Sequence, residues 1–219
     1  MLTDLKSNPE LRATARERLK GNWGKAILTV LVYFILTILI NGGSKFEDIG
    51  WIVSILALIL NGAWSAGLLT YFIHVARQEP LSIKLLFSQL PRLIPFFILL
   101  LIQGILIILW TLLLIVPGII ASIRYSQAFY ILLDHPEMKA SEAINRSKEM
   151  MKDQKWKYFL LILSFAGWYI LIMAALLILS ALGLQILGII VFGIGILALM
   201  PYIYTTQSIF YDDLNKNTP

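Results

Sequence analysis

The stretch VPGIIASIRYSQAFYILLDHP, Val116–Pro136, determines how many times the chain crosses a membrane. It follows a long and almost purely apolar run, is interrupted by a Pro-Gly pair, and contains an arginine, Arg124. A single helix over residues 93–133 would be about 60 Å long at 1.5 Å per residue. That is twice the ~30 Å hydrocarbon core of a bilayer. The stretch therefore predicts a corner, with Pro117 and Gly118 turning the chain outside the membrane between two spans, although a re-entrant hairpin remains open.

The composition makes the bilayer the main solvent of this chain. Of its 219 residues, 58% are hydrophobic and only 14% are charged, against roughly 25% charged residues in soluble domains. There is no cysteine, which excludes disulfides, thiolate nucleophiles and sulfur-ligated metals. The formal net charge is +5, and the basic residues flank apolar runs. This distribution favours anionic lipid headgroups over nucleic acid as the partner.

The apolar runs predict an all-α polytopic bundle with six transmembrane helices in a single domain covering residues 1–219. The predicted spans are about 26–40, 49–75, 93–116, 119–133, 158–182 and 184–211, and Gly183 marks a tight turn between the last two. With six spans, every Lys and Arg outside the spans except Lys45 lies on the same side of the membrane. The positive-inside rule then places both termini in the cytoplasm, with the chain in the plasma membrane.

The polar segment 1–25 is predicted to contain a basic amphipathic helix. Ser7 and Glu10 have the spacing of a capping box, and Leu11, Ala15 and Leu19 share one helical face. We expect this helix to lie on the cytoplasmic membrane surface, with its apolar side toward the lipid.

The segment 134–157 has the same character. Its stripe of Ala140, Ile144, Ser147 and Met151 runs opposite a basic face. Its basic side chains, like those of the first segment, are expected to meet lipid headgroups. The candidate interface residues of both segments are Arg16, Lys20, Trp23, Lys25, Arg146, Lys152, Lys155, Trp156 and Lys157. These residues form either a ring of basic side chains that fixes the membrane topology of the chain or a specific site for lipid or a partner.

The chain also has the pattern of three tandem helical hairpins, each preceded by an amphipathic helix. Basic, helix-prone stretches precede a Trp and a Lys at Trp23 and Trp156, and LSIKLLFSQLPRLIPFF, residues 81–97, is a weaker version of this entry. The returning segments RYSQAFYILLD and YTTQSIFYDD both combine a Ser/Thr-Gln step with aromatic residues and Asp. The alternative is that Trp and Lys mark membrane interfaces generally.

Arg124 is the most informative polar residue inside a span, because a buried charge needs a partner, water or a route to the interface. Gln127 is one turn away on the same helix face. The remaining intramembrane polar candidates are Gln103, Gln185 and Gln207. Arg124 either locks the bundle through hydrogen bonds, extends to the outer interface near Gly118, or forms an anion-binding or gating contact.

The sequence offers little for catalysis. DHPE, residues 134–137, brings two carboxylates and an imidazole together, but Pro136 also makes this a natural turn. No carboxylate pair lies within the spans, and there is no phosphate-binding glycine loop and no H-E-x-x-H motif. We therefore expect a protein that is not an enzyme, with no cofactor and no bound metal.

Two segments resemble a known family. VPGIIASIRYSQAFYILLDHPEMKASEAINRSKEMMKDQKWKYFLL, residues 116–161, is similar to the core signature of the bacterial membrane proteins grouped as domain of unknown function 975. The signature positions are filled by Pro117, Gly118, Arg124, Ala143, Ser147, Met151 and Trp156, and LKGNW at Leu19–Trp23 resembles the N-terminal box of the family. A more distant likeness is to the membrane domain of glycerophosphodiester phosphodiesterases. The resemblance implies the fold and no particular activity.

Two functions are compatible with these patterns. The first is a non-enzymatic membrane protein that acts through helix, lipid or partner contacts, such as an assembly, stress-response or immunity factor, with a membrane-protein partner or a second copy of the chain left open. The second is a small transporter or channel subunit with a polar path around Arg124, Gln103, Gln127 and Gln207.

Overall fold

The structure, a computed structural model, describes residues 5–42 and 50–217, and within these ranges the chain is α-helical with no strand. The first five helices are α1 (Asn8–Leu19), α2 (Trp23–Gly42), α3 (Gly50–Arg77), α4 (Leu93–Leu113) and α5 (Ile115–Tyr125). The other five are α6 (Ala128–Asp134), α7 (Ala140–Met150), α8 (Lys155–Leu163), α9 (Ala166–Ala181) and α10 (Gln185–Asn217). Two 3-10 turns, Ile83–Phe87 and Leu90–Arg92, precede α4.

Six helical stretches are long and apolar enough to cross a membrane, which confirms the all-α polytopic bundle. They are Trp23–Gly42, Gly50–Arg77, Ile83–Leu113, Ile115–Asp134, Lys155–Ala181 and Gln185–Asn217. The protein is therefore a multi-pass membrane protein. Several of these stretches extend beyond the predicted spans, because the helices continue into the polar segments.

The corner between the third and fourth spans lies at a different residue from the predicted one. Leu114 is extended, with φ −164° and ψ 150°, whereas Pro117 and Gly118 lie in the first turn of α5. The prediction that Pro117 and Gly118 form the turn was wrong, because proline also suits the first turn of a helix, where its missing N–H is not needed. Gly118 has a packing role, since a Cβ there would overlap the side chain of Thr111 on α4.

The spans form three helical hairpins, made by α2 with α3, by α4 with α5 and α6, and by α8 and α9 with α10. The helix α10 packs against α9, α1, α3 and α2, so it is the central element of the bundle. The predicted helical entry to the second hairpin is replaced by the two 3-10 turns, with Ser82 accepting a hydrogen bond from the Lys84 N–H. These turns pack on α3, where Gly67 leaves room for the backbone of Leu86.

The first amphipathic helix, α1, forms as predicted. The Ser7 N–H and hydroxyl both donate to Glu10 Oε2, at 2.7 and 2.8 Å, and these hydrogen bonds, the backbone one above all, lower the pKa of Glu10. Leu11, Ala15 and Leu19 are fully buried. Their surroundings differ from the expectation, because α1 packs on α10 and α3 of the bundle itself.

The second amphipathic helix, α7, behaves in the same way. Ala140, Ile144, Ser147 and Met151 are all buried, which confirms the predicted stripe. The helix packs on α4, α5 and α6. The expectation that these apolar faces rest on lipid was wrong: the bundle covers them, since the ends of α6 and α10 extend far enough to provide a protein surface beneath them.

Two ends of the bundle follow from this arrangement. We call residues 5–22, 74–92, 126–157 and 205–217 the polar end, and residues 105–120 and 166–198 the apolar end. Most buried residues of the largest hydrophobic cluster lie at the polar end, on α1, α6, α7 and the last turns of α10. At the apolar end, α9 has no buried residue at all.

Candidate functional site: a charged cluster that joins the three hairpins

One arginine connects the final turns of all three hairpins. Arg77 ends α3, Asp134 ends α6, and Asp212 lies near the end of α10. Arg77 donates from Nη1 to Asp134 Oδ1 at 3.0 Å and from Nη2 to Asp134 Oδ2 at 2.7 Å. It also donates from Nη2 to Asp212 Oδ1 at 2.7 Å and from Nε to the same oxygen at 3.1 Å. The planar guanidinium thus binds two carboxylates from two different hairpins.

The cluster is partly shielded from solvent. The side chain of Arg77 is 31% exposed and those of Asp134 and Asp212 are each 19% exposed. The Tyr211 hydroxyl donates to Asp134 Oδ2 at 3.0 Å, and the Tyr211 ring stacks on Tyr130 at 5.1 Å. Partial burial and several charge-assisted hydrogen bonds make these contacts stronger than a surface ion pair.

The contacts of Arg77, Asp134 and Asp212 indicate a structural role for this cluster. Each carboxylate already accepts hydrogen bonds from Arg77, so the cluster holds three helix ends in a fixed relation. No group of three His, Asp or Glu side chains in residues 5–42 and 50–217 is arranged to hold a metal ion. The cluster therefore joins the ends of the three hairpins within the polar end.

A second polar contact joins the break between α5 and α6 to α7. The Ser147 hydroxyl donates to the Arg124 carbonyl at 2.9 Å and accepts from the Gln127 N–H at 3.2 Å. Gln127 is fully buried, and its Nε2 donates to Ser126 Oγ at 2.8 Å. The Oε1 atom of Gln127 has no hydrogen-bond partner among the described residues. The serine of α7 thus satisfies two backbone groups that the helix break leaves free.

The intramembrane polar candidates do not meet. Among the described residues, no hydrogen bond joins any two of the set Arg124, Gln103, Gln127, Gln185 and Gln207. Gln103 Oε1 is buried in α4 without a partner in the described chain, Gln207 is half-buried in α10, and Gln185 is exposed at the apolar end.

Arg124 is half-buried on α5. Its side chain lines a cleft of about 170 Å³ with Trp110, Pro117, Ile120 and Tyr125, and most of that surface is apolar. The guanidinium has no hydrogen-bond or ion-pair partner within the described residues, so the partners expected of a bundle-locking arginine are not there. The backbone of Arg124, through its carbonyl, is what contacts α7.

The N-terminal interface candidates lie around the turn between α1 and α2. Arg16 Nη1 donates to the Tyr202 hydroxyl at 2.6 Å, and the guanidinium carbon is 5.8 Å from the centre of that ring. Lys20 and Lys25 are exposed, whereas Trp23 is half-buried and packs on a hydrophobic cluster.

The second set of interface candidates surrounds the entry to α8. Trp156 is 68% exposed and stacks on Phe159, with ring centres 5.3 Å apart. Lys155 Nζ donates to the Lys152 carbonyl at 2.7 Å. Lys152 is exposed, whereas Arg146 and Lys157 are half-buried.

The Arg77 cluster was missed at the level of sequence. Sequence patterns placed Asp134 in DHPE and among the acidic residues that close two returning segments, and Arg77 only among the basic residues outside the spans. The available signal was that each of the three returning helices ends in a charged residue, one basic and two acidic. The spacing alone does not reveal that these ends converge.

Comparison with known proteins decides the family. The model of a family described as "Protein of unknown function (DUF975)" matches residues 1–122 and 111–218, which together span nearly the whole chain. The chain belongs to this family. No curated protein and no solved structure matches it, so the likeness to the membrane domain of glycerophosphodiester phosphodiesterases stays a prediction. Membership in the DUF975 family agrees with the resemblance and assigns no activity.

Proposed function

We propose that this is a non-enzymatic multi-pass protein of the plasma membrane that acts through contacts of its helices with lipid and with a membrane-protein partner or a second copy of the chain. An assembly, stress-response or immunity factor fits this description. The observation that carries the proposal is the exposure of α9. Its apolar side chains are largely uncovered by the rest of the protein, for example Ile170 at 67% and Leu177 at 62%.

The orientation proposed places both termini in the cytoplasm. It is supported by the distribution of Lys and Arg, which are concentrated in and around α1, α7 and the loops of the same end. These basic side chains would face the anionic headgroups of the inner leaflet.

The orientation is tested by labelling single-cysteine variants. Because the chain has no cysteine, all labelling of such a variant comes from the introduced residue. A cysteine at Ser141 should react only with a permeant thiol reagent and one at Ser44 with an impermeant reagent, and the reverse pattern would contradict the orientation.

A small transporter or channel subunit is the competing function. It needs polar groups that line a common path. Arg124 instead lines a mostly apolar cleft, and Gln127 is fully buried, with its amide nitrogen donating to Ser126. These contacts favour the contact-based function.

The proposal is tested by photocrosslinking in native membranes. A photoreactive residue at Leu177 on α9 is compared with one at Leu112 on α4, which is also exposed but belongs to another hairpin. We expect a protein adduct of defined mass from Leu177 and mainly lipid adducts from Leu112. Lipid adducts alone from both positions would remove the protein-partner part of the proposal. Solute flux through liposomes that contain the purified protein would favour the transporter.

A further inference from the structure

A polar cavity of about 230 Å³ opens beside the turn that joins α1 to α2. Residues of two tight turns line it. In the first, Gly21 has φ +81°, a value that favours glycine, and the Asn22 N–H donates to the Leu19 carbonyl at 2.8 Å. In the second, Gln78 has φ 59° and the Glu79 N–H donates to the His74 carbonyl at 2.9 Å. The LKGNW segment is thus one wall of the cavity.

The charged lining of this cavity is mainly basic. Its charged and titratable side chains are Glu17, Arg18, Lys20, Lys25, His74 and Glu79. Glu79 Oε2 lies 3.2 Å from His74 Nδ1. The three permanent cations, Arg18, Lys20 and Lys25, outnumber the two carboxylates, so the cavity carries a net positive charge and attracts an anion.

An apolar cleft of about 90 Å³ adjoins the polar cavity. The two share Lys25 and Leu81, and the cleft continues between α2 and the turn at Ile83, beside Leu28. Tyr71 also lines it, with only 1% of its surface exposed. The buried hydroxyl of Tyr71 makes no hydrogen bond of good geometry among the described residues, although it lies near the hydroxyl of Thr29, which also lines the cleft. An unpaired buried hydroxyl costs free energy unless a ligand or water completes it.

We propose that the cavity and the cleft together bind one anionic phospholipid of the leaflet at the polar end. The phosphate of the headgroup lies in the cavity between Lys20 and Lys25, and the ester region and acyl chain follow the cleft past Tyr71 and Leu28. A lysine ammonium is a suitable point charge for phosphate, and a headgroup pocket that continues into an apolar cleft matches the shape of a lipid. This inference rests on the proposed function, in which the protein acts partly through lipid contacts. It assigns those lipid contacts to one site.

Native mass spectrometry of the full-length protein tests this site. The purified protein is mixed with equal amounts of phosphatidylglycerol and phosphatidylethanolamine, and the lipid retained per chain is counted. We expect one retained phosphatidylglycerol for the unchanged protein. The double variant Lys20→Gln with Lys25→Gln should lower that retention roughly tenfold, because each lysine near an anionic lipid contributes to binding. The control is Lys216→Gln, an exposed lysine near the end of α10 that lines neither the cavity nor the cleft, which should leave retention unchanged.

A second variant probes the cleft without changing charge. Tyr71→Phe removes only the unpaired hydroxyl, so the packing of the ring is preserved. We expect retention of phosphatidylglycerol to fall about threefold, as for one lost hydrogen bond of modest strength, with the helical content unchanged. An unchanged retention would mean that the hydroxyl does not contact the lipid.

Three results would overturn the proposal. The first is equal retention by the double variant and the Lys216→Gln control, which would indicate a general basic surface. The second is equal retention of the two lipids. The third is binding of inorganic phosphate alone as tightly as phosphatidylglycerol, which would identify a soluble ligand. Protein adducts from Leu177 together with any of these results would leave the proposed function standing and remove only this site.

Discussion

The two ends of the bundle differ in how much of their apolar surface the protein itself covers. At the polar end, the apolar faces of α1 and α7 pack against the helices of the bundle, and the buried residues form one large cluster. At the apolar end, α9 buries none of its residues. Lipid is as apolar as these side chains, so exposure there carries no hydrophobic penalty. The difference assigns the stability of the fold to the polar end and leaves the apolar end free for contacts.

The largest expected effect compares one leucine from each end. Leu132 on α6 is fully buried, whereas Leu177 on α9 is 62% exposed. We expect Leu132→Ala to lower the free energy of unfolding by about 2–4 kcal/mol, because it leaves a cavity. Leu177→Ala should cost less than about 0.5 kcal/mol. The measurement is denaturant unfolding in a fixed detergent, and equal losses would erase the distinction between the two ends.

An intermediate effect is expected where α7 meets the break between α5 and α6. Ser147→Ala leaves the Gln127 N–H and the Arg124 carbonyl without the hydroxyl that pairs them. We expect a loss of about 1–2 kcal/mol in the free energy of unfolding. Ser141→Ala, an exposed position on the same helix, is the matched control and should change stability by less than about 0.5 kcal/mol. A loss as small as that of the control would show that water replaces the serine.

The smallest effect is expected at Arg124. Its guanidinium has no partner among the described residues, so Arg124→Leu should change the free energy of unfolding by less than about 0.5 kcal/mol. Arg124→Gln serves as the polar control. A loss above about 1 kcal/mol in Arg124→Leu would indicate a charge that is paired in the membrane, for example with a lipid phosphate.

The repeating patterns of the sequence predicted much of this fold. The six apolar runs gave the spans because a helix of about 20 apolar residues matches the bilayer, and the stripes at Leu11 and Ala140 gave α1 and α7. The Pro117 turn was placed wrongly because proline is suited both to turns and to the first turn of a helix. The prediction that lipid covers the apolar stripes of α1 and α7 was also wrong. A buried helix face has the same periodicity whether lipid or protein covers it.

The candidate site was far less accessible to sequence reasoning. Arg77 is 57 residues from Asp134 and 135 residues from Asp212. Contacts over such separations follow from how the hairpins pack, and no local pattern encodes them. Arg124 drew attention because it interrupts an apolar run, whereas Arg77 lies where basic residues are common at span ends. The unusual position of Arg124 was visible in the sequence, whereas the pairing of Arg77 with two carboxylates was not.

The central claim is that Arg77 ties the three hairpins together at the polar end. A double-mutant cycle with Arg77→Gln and Asp134→Asn, followed by unfolding in detergent, measures it most directly. We predict a coupling free energy of about 1–3 kcal/mol, with an additive result when Arg77→Gln is combined instead with Glu149→Gln on the exposed face of α7. Additive losses for Arg77 and Asp134 would contradict the claim.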